Sequence, residues 1–172
     1  DAASEATDQD AVQGYRTAGS FRKLNLDLSR VTFLTPQTRL QTTLQAQRAS
    51  KNLASAEKMA LGGPNGVRGY PVGEGVGDSG VLLSLEYQRQ LNGAQSDAPM
   101  LASVFHDWGR ITYNQAGAPA SLAGSGLDRE TLRAAGLGLR WGRSGDFLVS
   151  LEVAWPLSRP PLGETGRRAR AW

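Results

Sequence analysis

Six segments of this chain alternate between apolar and polar side chains with a period of two. The third segment shows this most clearly, because Val81, Leu83 and Leu85 share one face and the residues between them are mostly polar. The six segments cover residues 21–33, 38–49, 81–90, 100–111, 132–141 and 147–155. Successive side chains of a β-strand point to opposite sides, so the pattern predicts an all-β fold in which each strand has one apolar face.

The connections between these segments alternate between short and long. Short turns follow the first, third and fifth segments, whereas long stretches at 50–80 and 112–130 follow the second and fourth. Outer-membrane β-barrels have short turns at one end and long loops at the other. Each segment is also about 10–12 residues long, which is the length that a tilted strand needs to cross a bilayer. We therefore predict part of an antiparallel transmembrane β-barrel.

Four aromatic residues on the apolar faces support this prediction. If the long loops lie outside, Trp108 and Trp155 fall near the outer ends of their strands, and Tyr87 and Trp141 fall near the inner ends. Aromatic rings form two such girdles at the headgroup levels of a membrane. For a single strand, a soluble β-sandwich with the apolar face as its core explains the pattern more simply. The six strands in phase favour the membrane barrel.

The composition excludes several classes of site. The chain has no cysteine and a single histidine, so neither thiol catalysis nor a metal site built from cysteine or several histidines is possible. A Ser-His-Asp triad would need His106, yet the neighbouring Asp107 points to the opposite face of the strand. The 19 basic and 16 acidic residues are largely dispersed, which argues against a nucleic-acid partner. We expect no enzyme activity, no catalytic residue, no metal and no cofactor.

A glycine-rich stretch at 61–80 contains eight glycines, two prolines and a single arginine, Arg68. Glycine allows a loop to pack closely against another surface. If the loop enters a confined space, Arg68 needs an acidic partner, because an uncompensated buried charge costs about 3–5 kcal/mol. The alternative is a mobile, solvated surface loop.

The predicted barrel interior offers this partner. Asp107 faces the lumen together with Phe105 and Gly109, and it can pair with Arg68 in a bidentate manner. Glu86 and Glu152 are also predicted to face the lumen and could compete for the arginine. Arg140 is a further lumen-facing residue by the same alternation.

The motifs resemble a known family. Residues 61–75 read LGGPNGVRGYPVGEG and are followed by Gly77 and Asp78, and residues 105–109 read FHDWG. Both are similar to signatures of the two-partner secretion transporters, the haemolysin secretion/activation (TpsB) group, whose second signature is Phe-x-Asp-x-Gly. The likeness covers most of the chain from Phe21 onward. The motif residues on the loop are Val67, Arg68, Gly69, Tyr70, Glu74 and Asp78.

This resemblance implies a Gram-negative outer-membrane barrel of roughly 16 strands, preceded by two periplasmic POTRA domains. It implies that the loop at 50–79 folds into the pore, where Arg68 meets Asp107. Such transporters pass an unfolded TpsA-like exoprotein from the periplasm to the cell surface without ATP. The expected partners are that exoprotein, outer-membrane lipid, and the remaining strands and POTRA domains.

The chain also departs from the family pattern. Residues 1–20 read as a loop, no POTRA sequence is present, and residues 21–172 are expected to be the C-terminal part of the barrel, incomplete at both ends. Six strands do not close a barrel, for which eight is the usual minimum. Two alternatives stay open, namely a barrel-assembly insertase of the same superfamily and a soluble all-β binding protein.

Overall fold

A computed structural model describes residues 17–93, 96–113, 129–158 and 170–171 of the chain. It is all-β apart from one short 3-10 turn at Ser55–Glu57. Its strands are β1 (Lys23–Thr35), β2 (Thr38–Ala49), β3 (Met59–Ala60), β4 (Val76–Gly77), β5 (Ser79–Gln90), β6 (Met100–Thr112), β7 (Arg129–Arg143), β8 (Phe147–Pro156) and β9 (Arg170–Ala171). No helix in the described part of the chain is long and apolar enough to span a bilayer.

Seven strands form one antiparallel sheet in the order β1-β2-β5-β6-β7-β8-β9. All six predicted strands are present, and β2 begins and ends at the predicted residues, so the predicted antiparallel all-β fold is confirmed. Strand β7 is longer than predicted at both ends, because Arg129 and Arg143 still pair with Thr112 and Phe147 on the neighbouring strands. The described strands do not close into a barrel.

The apolar faces of neighbouring strands are in register and form one continuous surface. Leu83 on β5 lies opposite Leu44 on β2 and Trp108 on β6. This surface is exposed, with Leu137 and Leu151 at 53% and 59% relative accessibility. A soluble β-sandwich would bury these side chains between two sheets, whereas a membrane barrel presents them to lipid. The exposed apolar face therefore fits the barrel.

The buried core lies on the opposite face of the same sheet. Residues 50–78, which join β2 to β5, fold back across that face. Leu61, Val67 and Tyr70 of this connection are fully buried. They pack against inward-facing side chains of β5, β6 and β7, namely Leu82, Ile111, Leu132 and Ala134. The mobile surface loop considered as the alternative would not bury these residues.

The returning connection has its own backbone structure, which the sequence did not predict. Strands β3 and β4 pair with each other, and next to them the Leu61 N–H donates to the Gly75 carbonyl at 2.8 Å. The Val67 N–H in turn donates to the Leu61 carbonyl at 2.6 Å. Gly69 turns the chain with φ of +87°, a value that favours glycine. We call the ordered segment 50–78 the inward loop.

Glycines on the sheet make room for close packing. A Cβ at Gly109 would lie 2.8 Å from a methyl group of Leu61, so a larger residue here would force the side chain of Leu61 to shift. A Cβ at Gly136 would lie 2.1 Å from Cζ of Phe105 and 2.3 Å from the carbonyl oxygen of Val153.

Replacing Gly136 with alanine is expected to lower the unfolding temperature of the assembled full-length barrel. The added methyl group would displace the Phe105 ring or the β8 backbone, and overpacking of this kind typically costs about 1–3 kcal/mol. Gly93→Ala is the matched control, because a Cβ there meets no atom within 4 Å. The measurement is the temperature at which the folded band on an SDS gel is lost. Equal temperatures for the two variants would contradict the predicted clash.

Candidate functional site

The inward loop brings Arg68 into a bidentate contact with Asp107 on β6. Arg68 Nε lies 2.8 Å from Asp107 Oδ2, and Nη2 lies 2.9 Å from Oδ1. The backbone N–H of Arg68 also donates to Oδ2 at 3.1 Å. Asp107 is fully buried and Arg68 is 7% exposed. Both oxygens of the carboxylate are therefore used by the same arginine.

Two further carboxylates contact the same guanidinium group. Arg68 Nη1 lies 2.9 Å from Glu86 Oε2 on β5 and 3.2 Å from Glu152 Oε2 on β8. Residues of β5, β6 and β8 thus meet around one loop side chain. One positive charge faces three negative charges, so the cluster carries a net negative charge when all four groups are ionised. Glu86 and Glu152, expected as competitors of Asp107, share the arginine with it.

An aromatic ring and a hydroxyl group complete the surroundings of Arg68. The guanidinium carbon lies 3.3 Å from the centroid of the Phe105 ring, in a cation–π contact. Ser84 donates to Asp107 Oδ1 at 2.7 Å and accepts from Arg68 Nη2 at 3.3 Å. Sequence reasoning missed Ser84, although it lies on the same face of β5 as Glu86 and pairs with Asp107 in the strand register.

The charge of Arg68 is maintained by its partners. Burial by itself would lower the pKa of the guanidinium, but hydrogen bonds and opposite charges from Asp107, Glu86 and Glu152 outweigh it and raise the pKa above its ordinary value. The arginine therefore stays positively charged over the whole accessible pH range.

The neighbours of Arg68 on the loop hold its backbone in place. A Cβ at Gly69 would lie 3.3 Å from Cβ of Ala154, so the loop lies directly against β8. Tyr70 is fully buried, and its hydroxyl accepts a hydrogen bond from the Ser158 N–H at 3.4 Å. Glu74 is buried, and its carbonyl accepts from the Gly62 N–H at 2.8 Å. These contacts direct Arg68 toward the sheet.

Asp78 joins the two ends of the inward loop. Its side chain is fully buried, and Oδ1 accepts from the Leu53 N–H at 3.0 Å and lies 3.4 Å from Lys58 Nζ. Its backbone N–H donates to the Thr112 carbonyl at 2.9 Å, and its carbonyl accepts from Gln47. The contacts made by Leu53 and Lys58 had no signal in the sequence, because they depend on where the chain returns to the sheet.

Arg140 lines a small cleft beside Glu86 and Glu152, but neither it nor the four aromatic residues on the apolar face take part in the ion pairs of the cluster. Arg140 is exposed on β7, opposite Leu101 and Ser150. Tyr87, Trp141 and Trp155 are exposed on the apolar face and Trp108 is half-buried there. The Trp141 ring contacts Phe147 edge-on, with centroids 4.9 Å apart.

Among the residues that the structure describes, no group of three or more histidine or carboxylate side chains is arranged to bind a metal ion. The three clustered carboxylates point at a guanidinium group instead. The ion pairs between Arg68 and these carboxylates can hold the inward loop against the sheet.

Comparison with protein families adds an independent observation. The family model described as haemolysin secretion/activation protein ShlB/FhaC/HecB matches residues 2–131, which include both Arg68 and Asp107. The match covers most of the chain and ends near the start of β7.

Known relatives and one solved structure agree with this match. The heme/hemopexin transporter protein HuxB of Haemophilus influenzae strain 86-028NP is 31% identical over 147 residues, which is 86% of this chain and 26% of that protein. HuxB of strain KW20 is 28% identical over 84% of this chain and 25% of its own length. The chain thus spans about a quarter of these relatives. CdiB from Escherichia coli superposes with a TM-score of 0.69 at 24% identity, over 88% of this chain and 26% of that chain, and this likeness concerns the fold.

Proposed function

The chain belongs to the haemolysin secretion/activation family ShlB/FhaC/HecB, the transporters of two-partner secretion, and from this premise we propose that it forms part of an outer-membrane pore that exports an unfolded partner exoprotein. The exoprotein would enter from the periplasm and leave at the surface of a Gram-negative cell. The remaining strands and two POTRA domains would come from the rest of the full-length protein. The chain has no role as an enzyme in this proposal.

The observation that carries the proposal is the position of the inward loop. An export pore needs a polar interior, and the face that carries Asp107, Glu86 and Glu152 would line it, while the apolar face would contact lipid. The inward loop lies across this polar face and occupies space in the lumen. We propose that the contact between Arg68 and Asp107 anchors the loop there, with Glu86 and Glu152 as additional partners.

The anchor is strong because it combines charge with apolar burial. Fully burying a large apolar side chain contributes about 1.5–3 kcal/mol, and Leu61, Val67 and Tyr70 of the loop are all fully buried against the sheet. Removing one member of a buried ion pair costs about 3–5 kcal/mol. The lumen wall and the loop therefore act as one structural unit around Arg68.

The test is a secretion assay with the full-length gene and the gene for its exoprotein. We expect the exoprotein at the cell surface or in the medium only when the transporter is present. The abundance of other outer-membrane proteins should be unchanged when the transporter is deleted. A general loss of outer-membrane proteins would indicate the barrel-assembly insertase instead. A full-length product that stays monodisperse in water without detergent would indicate the soluble binding protein.

A further inference from the structure

A groove on the apolar face of the sheet combines an apolar floor with a basic rim. It lies at the end of the strands where the long connections leave the sheet, and its volume is about 400 Å³. The floor contains Leu24, Leu26, Ala46, Val81 and Trp108. The rim carries three exposed arginines, Arg48, Arg110 and Arg129, from three different strands. We call this feature the basic groove.

The basic groove is separate from the Arg68 cluster. Arg110 lies two residues after Trp108 on β6, and the alternation of the strand turns both away from Asp107. In the strand register Arg110 is opposite Val81, and Arg48 is opposite Leu24. Arg129 begins β7 and pairs with Thr112. The three arginines therefore project from the face that the proposed function assigns to lipid.

These arginines have no acidic partner among residues 17–93, 96–113 and 129–158, whose ion pairs involve other basic side chains. Arginine matches phosphate oxygens in a bidentate geometry and is less strongly hydrated than lysine. A free phosphate ion would use the rim but not the apolar floor. A neutral lipid would use the floor but not the rim. A ligand with both phosphate groups and hydrocarbon chains fits the whole groove.

We propose that the basic groove binds a phosphorylated glycolipid of the outer leaflet. Its phosphate groups would contact Arg48, Arg110 and Arg129, and its acyl chains would lie on the apolar floor beside Trp108. This inference rests on the proposed function, because it places the groove at the outer leaflet by assigning the long loops to the outside. Trp108 is then at the level where aromatic side chains meet headgroups.

The experiment compares lipid binding by the full-length protein in a neutral detergent. The probes are diphosphorylated lipid A, the same lipid with its phosphates removed, and phosphatidylglycerol, and the readout is affinity from quenching of tryptophan fluorescence or from native mass spectrometry. We expect the diphosphorylated lipid to bind most tightly. The double variant Arg48→Gln/Arg110→Gln should weaken its binding by about thirty-fold, because each basic residue near an anionic lipid contributes roughly five-fold to the affinity and the two contributions multiply.

Arg89→Gln is the matched control. Arg89 is exposed on the same face of the sheet, but it lies at the turn end of β5, opposite Thr38 and Ala102. This variant should bind the diphosphorylated lipid as the unmodified protein does. Equal binding by the double variant and the unmodified protein would overturn the inference, as would phosphatidylglycerol binding as tightly as lipid A.

Secretion of the exoprotein separates this inference from the proposed function. A protein that exports its exoprotein but shows no preference for diphosphorylated lipid A contradicts only the lipid site. A protein that binds this lipid through the three arginines but exports nothing contradicts only the export pore.

Discussion

Replacing Arg68 with alanine in the full-length protein is expected to leave an assembled barrel and to reduce export of the exoprotein by about ten-fold or more. The substitution leaves Asp107 fully buried without its cation, next to Glu86 and Glu152. These carboxylates would repel one another, and the inward loop would lose its anchor. The hydrogen-bonded strands would remain, because none of their backbone contacts involves the guanidinium group.

The measurement compares exoprotein in the medium with the amount of folded, heat-modifiable transporter in the outer membrane. Arg140→Ala is the matched control, because it removes another arginine from the polar face, one that is exposed on β7 and forms no ion pair with the carboxylates of the cluster. Arg68→Lys should lie between the two, since lysine keeps the charge but cannot bond both oxygens of Asp107 in the same plane. Normal export by Arg68→Ala would argue against the anchoring role of this contact.

Replacing Asp78 with alanine is expected to expose the inward loop to proteolysis. The variant leaves the buried Leu53 N–H without its acceptor and Lys58 without its nearest carboxylate. Such losses cost about 3 kcal/mol together, which corresponds to a roughly hundred-fold increase in the open population of the loop. Trypsin cleavage after Lys51 or Lys58 in the membrane-inserted protein measures this population, because cleavage follows the open state when closing is fast.

Glu57→Ala is the control for this experiment. Glu57 lies on the same loop and pairs with Lys23 at 2.6 Å, but its side chain is 43% exposed. Exposed ion pairs contribute about 0–1 kcal/mol, so the cleavage rate should rise by less than about five-fold. Cleavage of the Asp78 and Glu57 variants at the same rate would show that Asp78 does not hold the ends of the loop together.

The strands were predictable from the sequence because one face of each strand is apolar and the other is polar. The alternation in β5 and β8 placed Leu83 and Leu151 on one side and Glu86 and Glu152 on the other without knowledge of their neighbours. The loop lengths then selected a membrane barrel over a sandwich. This part of the prediction needed only local information.

The contacts within the site were harder to predict from the sequence, because they depend on the register in which the strands pair. Asp107 was a candidate partner of Arg68 from its face alone, but Ser84 reaches Asp107 only through the pairing of β5 with β6. The stacking of Arg68 on Phe105 and the pairing of β3 with β4 also depend on how the loop folds back. No local pattern in the sequence encodes these distances.

The contact between Arg68 and Asp107 also reports the alignment of the sheet. If β6 slipped by one residue against its neighbours, every one of its side chains would change sides. Asp107 would then lie on the apolar face of the sheet, and His106 or Trp108 would face the loop in its place. The complete set of contacts around Arg68 therefore requires that the four strands from β5 to β8 are paired in this alignment.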